Sequence, residues 1–147
     1  LVEETAKGFL RVRSRGRPRA VDIKTLPYPG FPTDLQPQFM ALLTLARGTS
    51  VITETVFEKR FMHVEEMARM GARIRIEDRT AIITGRQLLQ GAKVLAEDLR
   101  GGAALVLAAL AARGYSEIRG VHHIRRGYSR LVGRLRSLGG RIFILPS

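Results

Sequence analysis

The order of apolar and polar positions predicts one succession of elements in the middle of the chain. After Thr33, apolar residues spaced as on one face of a helix predict a helix that ends at Gly48. These apolar residues are Phe39, Leu42, Leu43 and Ala46. Further patterns predict a strand at 50–56, a helix at 61–70, and short strands at 73–77 and 81–84.

The same succession returns in the second half of the chain. The pattern there predicts a strand at 92–95, a helix at 98–112, a strand at 116–121, a helix at 128–138 and a last strand at 141–145. Matching residues lie 64 to 68 positions apart, as in Asp34 with Asp98, Arg60 with Arg126 and Gly71 with Gly139. Each copy has the order helix, strand, helix, strand, which predicts an α/β fold of two repeated units rather than a helical bundle.

This repetition suggests how the chain is divided. We expect a single partial domain over residues 1–147, with a basic strand or connector at 1–24, a first repeat at 25–91 and a second repeat at 92–147. Prolines 27, 29, 32 and 37 exclude helix and central strand up to about Thr33. Thr33 and Gln36 match a capping box at the start of the first helix.

Composition narrows the class of protein. Of the 147 residues 45% are hydrophobic, which excludes wholesale disorder, and the absence of Cys excludes a disulfide scaffold or a cysteine nucleophile within this chain. The longest apolar run, 103–112, is much shorter than the roughly 20 residues that a membrane span needs. The N-terminus lacks the basic-then-apolar order of a signal peptide, so we predict a cytoplasmic location.

The chain is strongly basic. Its 25 Lys and Arg against 13 Asp and Glu give a net charge of +12, which attracts anionic partners such as nucleic acid or phosphorylated metabolites. Arginines alternate from position 11 to position 19. A basic nucleic-acid-binding module is one interpretation of this charge, but no recognised motif and only 6% aromatic residues support it, so nucleic acid is an unlikely partner.

The repeat places acids and arginines at equivalent junctions. Asp34 and Asp98 each stand where a loop enters a helix, a position typical of helix caps. The proline-rich loop fixes the backbone before Asp34, and a carboxylate held there could instead act as a general base toward a hydroxyl. Arg60, Arg100 and Arg126 could each hold a phosphate or carboxylate, or lie on the surface without a ligand. The histidines at 122 and 123 fall at a predicted strand end and cannot jointly chelate one metal.

Four strings in these junctions resemble UDP-N-acetylglucosamine enolpyruvyl transferases. They are 29–36 (PGFPTDLQ), 52–64 (ITETVFEKRFMHV), 98–100 (DLR) and 126–128 (RGY). The resemblance runs from about Val21 to the C-terminus. It implies an inside-out α/β barrel with six copies of one unit, of which this chain holds about two.

The resemblance also implies a reaction. The family transfers the enolpyruvyl group of phosphoenolpyruvate to the 3-hydroxyl of UDP-N-acetylglucosamine, the first committed step of peptidoglycan synthesis, without a metal or organic cofactor. Asp34 corresponds to the carboxylate that binds the sugar hydroxyl and is the candidate base, and Val56 to a backbone contact with the nucleotide sugar. Arg100 and Arg126 correspond to the arginines that hold phosphoenolpyruvate. Arg60 and Asp98 correspond to further active-site residues.

The chain departs from the family in two respects. Arg125 and Ser129 replace the acids that usually flank the 126–128 string. Only the C-terminal third of the enzyme is matched, and the family's proton-donating Cys, or its Asp substitute, belongs to the unmatched part. We therefore expect the isolated chain to be inactive and to need the remaining units for a complete cleft. A non-catalytic remnant or nucleotide-sugar-binding domain is the alternative interpretation.

Overall fold

A computed structural model describes residues 2–4, 8–14 and 16–145. Its strands are β1 (Val2–Glu4), β2 (Leu10–Val12), β3 (Ile23–Lys24), β4 (Thr49–Thr53), β5 (Arg73–Glu77), β6 (Thr80–Thr84), β7 (Leu89–Gln90), β8 (Lys93–Leu95), β9 (Ala112–Arg113) and β10 (Glu117–Arg119). Its helices are α1 (Gln36–Leu43), α2 (His63–Arg69), α3 (Leu99–Ala111), α4 (Val121–Arg125) and α5 (Leu131–Ser137), with a 3₁₀ turn at Thr33–Leu35 before α1.

Two strand–helix–strand units form the centre of the fold. In the first, α1 connects the parallel strands β3 and β4, with Ile23 opposite Ile52. In the second, α3 connects the parallel strands β8 and β10, with Val94 opposite Ile118. The first unit continues into the antiparallel strands β6 and β5, which gives a four-stranded sheet in the order β3-β4-β6-β5. The remaining pairs among the described residues are β7 with β9 and β1 with β2.

The core lies between α1 and α3, with α2 packed against α3. α3 is apolar around most of its circumference, as expected of a helix that is covered on several sides. On another side of α3, Gly102 allows α4 to pack closely, because a Cβ there would come within 2.6 Å of Ile124 Cγ1. The fully buried side chains of this core include Met40, Leu43, Ile52, Met67, Ile83 and Leu105.

Most of the predicted elements are confirmed. α2, α3, β4, β5, β6, β8 and β10 lie where the pattern predicts them, and Gly71 and Gly139 end α2 and α5 with φ of 85° and 90°. α1 also forms as predicted but ends at Leu43, so its predicted end at Gly48 is wrong. The mixed helix and strand content agrees with an α/β class, but no closed barrel forms among the described residues. The boundaries of the repeats at 25–91 and 92–147 stay a prediction.

The predicted strand at 141–145 is wrong. In the first copy β5 pairs with β6, whereas the described part of the second copy contains no strand that could pair with 141–145. Its backbone groups therefore form no ladder, and Phe143, Ile144 and Leu145 are exposed. The second copy thus lacks the last strand of the predicted order.

Three local expectations also need correction. The helix predicted at 128–138 is the shorter α5, and α4 forms before it and contains both His122 and His123, which were expected at a strand end. Leu42, expected on the buried stripe of α1, is 50% exposed. The capping box is wrong, because the Thr33 hydroxyl donates a hydrogen bond to Glu54 Oε2 at 2.8 Å instead of capping the helix.

The basic N-terminal segment is partly built into the fold. Arg17 donates hydrogen bonds to the carbonyl oxygens of Leu45, Ala46 and Arg86 at 2.8–2.9 Å, so this guanidinium closes the end of the first unit. Arg15, in the same arginine run, lies outside the described residues. In the part of the chain that the structure describes, none of the helices has the length and apolar character of a membrane span.

Candidate active site at the start of two helices

A cavity of about 380 Å³ opens where the first turns of α1 and α3 come together. Pro37 from α1, Asp98 and Arg100 from the start of α3, and the loop before α2 form its wall. The loop residues are Phe57, Glu58, Lys59, Arg60 and Met62. Three of the wall residues are basic and two are acidic, and helix N-termini carry partial positive charge, so this cavity favours an anionic ligand.

Asp34 and two arginines meet at this cavity. Arg100 Nε donates a hydrogen bond to Asp34 Oδ1, and Arg60 Nη2 lies 3.9 Å from the same oxygen. Asp34 remains 63% exposed, whereas the Arg60 side chain is only 17% exposed and has its Cζ 4.2 Å from the centre of the Phe57 ring. The ring holds the Arg60 guanidinium by a cation–π contact while the carboxylate stays accessible to solvent.

Asp98 caps α3. Its Oδ1 accepts hydrogen bonds from the backbone N–H groups of Arg100 at 2.8 Å and Gly101 at 3.0 Å. A Cβ at position 101 would come within 2.7 Å of Asp98 Oδ2, so the glycine makes room for the capping carboxylate. The cap fixes the backbone of Arg100, whose side chain points to Asp34. Asp98 is therefore a helix N-cap, the role that is typical of Asp at a helix start.

The segment before Asp34 is tightly turned. Gly30 N–H donates to Pro27 O at 2.8 Å, and a Cβ on Gly30 would come within 2.3 Å of Leu26 Cβ. The ring of Phe31 packs edge-on against Phe39 of α1, with centroids 5.0 Å apart. This turn leads into the 3₁₀ turn that contains Asp34, and the predicted absence of helix before Thr33 is confirmed.

A buried carboxylate, Glu54, was missed by sequence reasoning. It is 1% exposed at the end of β4 and accepts four hydrogen bonds. The donors are Thr25 Oγ1 at 2.8 Å, Thr33 Oγ1 at 2.8 Å, Val56 N at 2.9 Å and Phe57 N at 3.1 Å. Burial raises the pKa of Glu54, but these hydrogen bonds outweigh it and hold the pKa below its ordinary value. The sequence pattern places Glu54 in the predicted strand at 50–56, and only its long-range hydrogen bond with Thr33 indicates that it supports the site.

Val56 lies beside this carboxylate, at the edge of the cavity. Its N–H is occupied by Glu54 Oε1, and no hydrogen bond to its carbonyl oxygen forms within the described residues. The carbonyl is therefore the backbone group of Val56 that a ligand could use.

Arg126 stands apart from the other candidate residues. It is exposed in the turn between α4 and α5, does not line the cavity, and forms no ion pair among the residues at 2–4, 8–14 and 16–145. The turn is nevertheless held near the two helix starts. Gln38 Nε2 donates to Tyr128 Oη at 2.6 Å, and Gly127 packs on Leu99. The structure thus brings Asp34, Arg60, Asp98 and Arg100 together, with Val56 beside them and Arg126 on the periphery.

His63 is buried beneath the cavity. It is 5% exposed, and burial lowers its pKa to about 4, although the neighbouring Asp98 acts in the opposite direction. Its Nε2 has no hydrogen-bond partner among the described residues. Within that same part of the chain, no three His, Asp or Glu side chains are grouped so that they could hold a metal ion.

Comparison with known proteins identifies the family of this chain. The model of the EPSP synthase (3-phosphoshikimate 1-carboxyvinyltransferase) family matches residues 1–135. The chain belongs to this family. It is 61% identical over 137 residues to UDP-N-acetylglucosamine 1-carboxyvinyltransferase 1 of Caldanaerobacter subterraneus subsp. tengcongensis, a match that covers 93% of this chain and 33% of the relative. It is 58% identical over 142 residues to the carboxyvinyltransferase 2 of Carboxydothermus hydrogenoformans, covering 97% and 34%.

Solved structures agree with this family. The enolpyruvyl transferase NikO from Streptomyces tendae superposes with a TM-score of 0.82 at 33% identity, covering 93% of this chain and 32% of NikO. EPSP synthase from Acinetobacter baumannii, at 20% identity and a TM-score of 0.58, shares the fold. The family resemblance drawn from the four strings is confirmed, and the nucleic-acid and non-catalytic alternatives gain no support. The chain spans about a third of the length of these curated relatives.

Proposed function

We propose that this chain is the part of an enolpyruvyl transferase that presents the sugar hydroxyl to phosphoenolpyruvate. The reaction joins the enolpyruvyl group to the 3-hydroxyl of UDP-N-acetylglucosamine in the cytoplasm and serves peptidoglycan synthesis. The observation that carries the proposal is the accessible Asp34 carboxylate, which contacts Arg60 and Arg100, two residues in the wall of the cavity between two helix starts. The carboxyvinyltransferase relatives, 57–61% identical, support this choice of reaction.

Asp34 is the general base of this step in the proposal. As the sugar oxygen bonds to C2 of phosphoenolpyruvate, its proton passes to the Asp34 carboxylate, and a proton donor outside this chain protonates the adjacent methylene carbon. The C2–O bond to phosphate then breaks and phosphate leaves, while loss of a proton from the methyl group restores the double bond. Asp34 is suited to accept the proton because it is not used as a cap.

The arginines of the site offset the electrostatic repulsion between the two substrates. Both substrates are anionic, so bringing them together costs electrostatic free energy that fixed guanidinium groups offset. Arg100 is fixed at its backbone by the Asp98 cap, and Arg60 is fixed by the Phe57 ring. In the proposal Arg100 and the peripheral Arg126 hold phosphoenolpyruvate, and Arg60 supports Asp34.

The rest of the site lies outside this chain. The nucleotide sugar contacts the Val56 carbonyl oxygen, and the remaining units of the enzyme complete the cleft and supply the proton donor. The reaction needs no metal or organic cofactor in this proposal. We therefore expect no phosphate release from the 147 residues alone.

The proposal is tested in a full-length chimera. The chain replaces the matching third of the Caldanaerobacter relative, and phosphate release is measured with both substrates. Asp34→Asn keeps the side chain's shape but cannot accept the proton, so we expect turnover to fall about 100-fold or more while the melting temperature stays parental. The matched control is Asp78→Asn, at an exposed turn with φ of 50°, which Asn tolerates and which should leave turnover unchanged.

Two outcomes would contradict the proposal. A parent chimera that folds but releases no phosphate would reject the activity. An Asp34→Asn chimera with parental turnover would show that the carboxylate does not take the proton, and the role of Asp34 would be withdrawn.

A further inference from the structure

Glu54 connects three separate segments around the cavity. Its Oε1 accepts from Thr25, which follows β3, and from the N–H groups of Val56 and Phe57 in the cavity loop. Its Oε2 accepts from Thr33 in the 3₁₀ turn. Thr25 and Thr33 lie 29 and 21 residues from Glu54 in the sequence, so this one buried side chain makes long-range contacts to two segments as well as to the cavity loop.

The backbone of Glu54 is fixed as firmly as its side chain. Its N–H donates to Arg79 O at 2.8 Å, and Arg79 Nε donates to Glu54 O at 2.9 Å. Thr25 Oγ1, which donates to Glu54, also accepts from Thr55 N at 2.9 Å. The position of the carboxylate is therefore fixed relative to β4, and the groups that donate to it are fixed relative to the sheet.

Three of the hydrogen bonds to Glu54 lead to residues of the candidate site. Thr33 precedes Asp34, and the Val56 N–H bond orients the peptide chain that carries the Val56 carbonyl. Phe57, whose ring supports Arg60, is held through its own N–H. We infer that Glu54 is a positioning residue that sets Asp34 against the Val56 carbonyl and Arg60, an inference that rests on the proposed function.

A carboxylate suits this position better than a neutral side chain. Glu54 receives four N–H or O–H donors, and an ionised carboxylate offers only acceptors, whereas Gln would turn an NH₂ group toward one of the donors. Hydrogen bonds to a charged acceptor are shorter and stronger than neutral ones. Shortening the side chain would break the arrangement as well, because Asp at position 54 cannot reach both the loop and the 3₁₀ turn.

The link between Thr33 and Glu54 offers the sharpest test. Thr33→Val removes the donor but keeps the shape, so the 3₁₀ turn and Asp34 lose their attachment to β4. In the full-length chimera we expect kcat/KM to fall about tenfold or more, because small displacements of reacting groups cost large factors in rate. Thr33→Ser restores the hydroxyl and should return kcat/KM to within about twofold of the parent. Thr84→Val, on the exposed side of β6, is the matched control and should leave kcat/KM unchanged.

A second measurement needs no activity. In the 147-residue chain the NMR signal of the Arg100 Nε–H group reports its bond to Asp34. We expect Thr33→Val to shift this signal, Thr33→Ser to return it to the parental position, and Thr84→Val to leave it in place. Glu54→Asp should shift it as Thr33→Val does, which covers the case in which the valine variant does not fold.

The outcomes separate this inference from the proposed function. A parent chimera without phosphate release rejects the function, and the NMR signal alone then decides whether Glu54 positions Asp34. Parental kcat/KM in both Thr33→Val and Glu54→Asp overturns the inference. A serine variant as impaired as the valine variant also overturns it, because the hydroxyl would then not be the cause.

Discussion

The two copies of the repeated unit use the same acid in two different ways. Asp98 caps α3 through the N–H groups of Arg100 and Gly101, whereas Asp34 makes no capping bond and stands 63% exposed beside the cavity. The sequence context is the same in both, an Asp followed by Leu at the entrance to a helix. Position in the repeat therefore does not decide what the carboxylate does.

The difference arises from the residue pair that precedes and supports each Asp. In the first copy Thr33 bonds to the buried Glu54, and this bond accompanies a 3₁₀ turn at the helix start. At the spacing of the repeat, the counterparts in the second copy are Glu97 and Gly120, and Gly120 has no side chain to offer. A Cβ at position 120 would come within 2.1 Å of Ala96 O, so a glutamate cannot take its place. The second copy therefore keeps the ordinary cap.

The largest expected effect concerns burial at one pair of equivalent positions, 63 in α2 and 129 in the turn before α5. His63 in α2 is buried, whereas its counterpart Ser129 is exposed. Burial lowers the pKa of His63 from 6.5 to about 4, so the unfolded chain binds the proton more tightly. Stability is thus complete above pH 6.5 and falls between pH 6.5 and 4, by about 3 kcal/mol in the free energy of unfolding.

Urea unfolding at pH 7 and pH 4 measures this loss. His63→Leu should remove the loss of stability between pH 6.5 and about 4.5. Below about pH 4.5 both proteins also lose the contribution of Glu54, whose pKa is lowered from its ordinary value of 4.5. His122→Gln, at an exposed position in α4, is the control and should behave as the parent. An unchanged pH dependence in His63→Leu would contradict the burial of His63 against α3.

The sequence predicts the fold most reliably where local chemistry decides the structure. The glycine stops after α2 and α5, the proline-rich approach to Asp34 and the alternation of β5 and β6 are all visible in single segments. The strand expected at 141–145 fails for a non-local reason. A strand is stable only beside a partner, and β5 has β6 whereas 141–145 has none among the described residues.

In the candidate site, too, the sequence predicts local features but not long-range contacts. Asp34, Arg60 and Arg100 carry recognisable charges in recognisable strings, and the structure brings them together. The role of Glu54 could not be predicted, because the capping box that Thr33 and Gln36 match is a local signal. The long-range bond from Thr33 to Glu54, 21 residues away, overrides it.

A smaller effect on stability is expected when the glycines that end α2 and α5 are replaced. Gly71 and Gly139 have nearly the same positive φ and open space at the Cβ position, so alanine costs backbone strain of about 1 kcal/mol at either site. α2 has three buried residues, whereas α5 has none. We expect Gly71→Ala to lower global stability by the full amount and Gly139→Ala by less than half, because α5 can fray locally. Equal losses in urea unfolding would show that α5 unfolds only together with the core.

The smallest effect separates the two aspartates. Asp98→Ala leaves the N–H groups of Arg100 and Gly101 without their acceptor, so we expect about 1 kcal/mol less stability. Asp34→Ala removes only ion pairs of a largely exposed carboxylate, which contribute about 0.5 kcal/mol or less. Asp98→Asn, which can still cap, should unfold like the parent and shows that the alanine loss comes from the cap. Equal losses in the two alanine variants would mean that Asp34 also caps its helix, and the accessible carboxylate on which the proposed function rests would be lost.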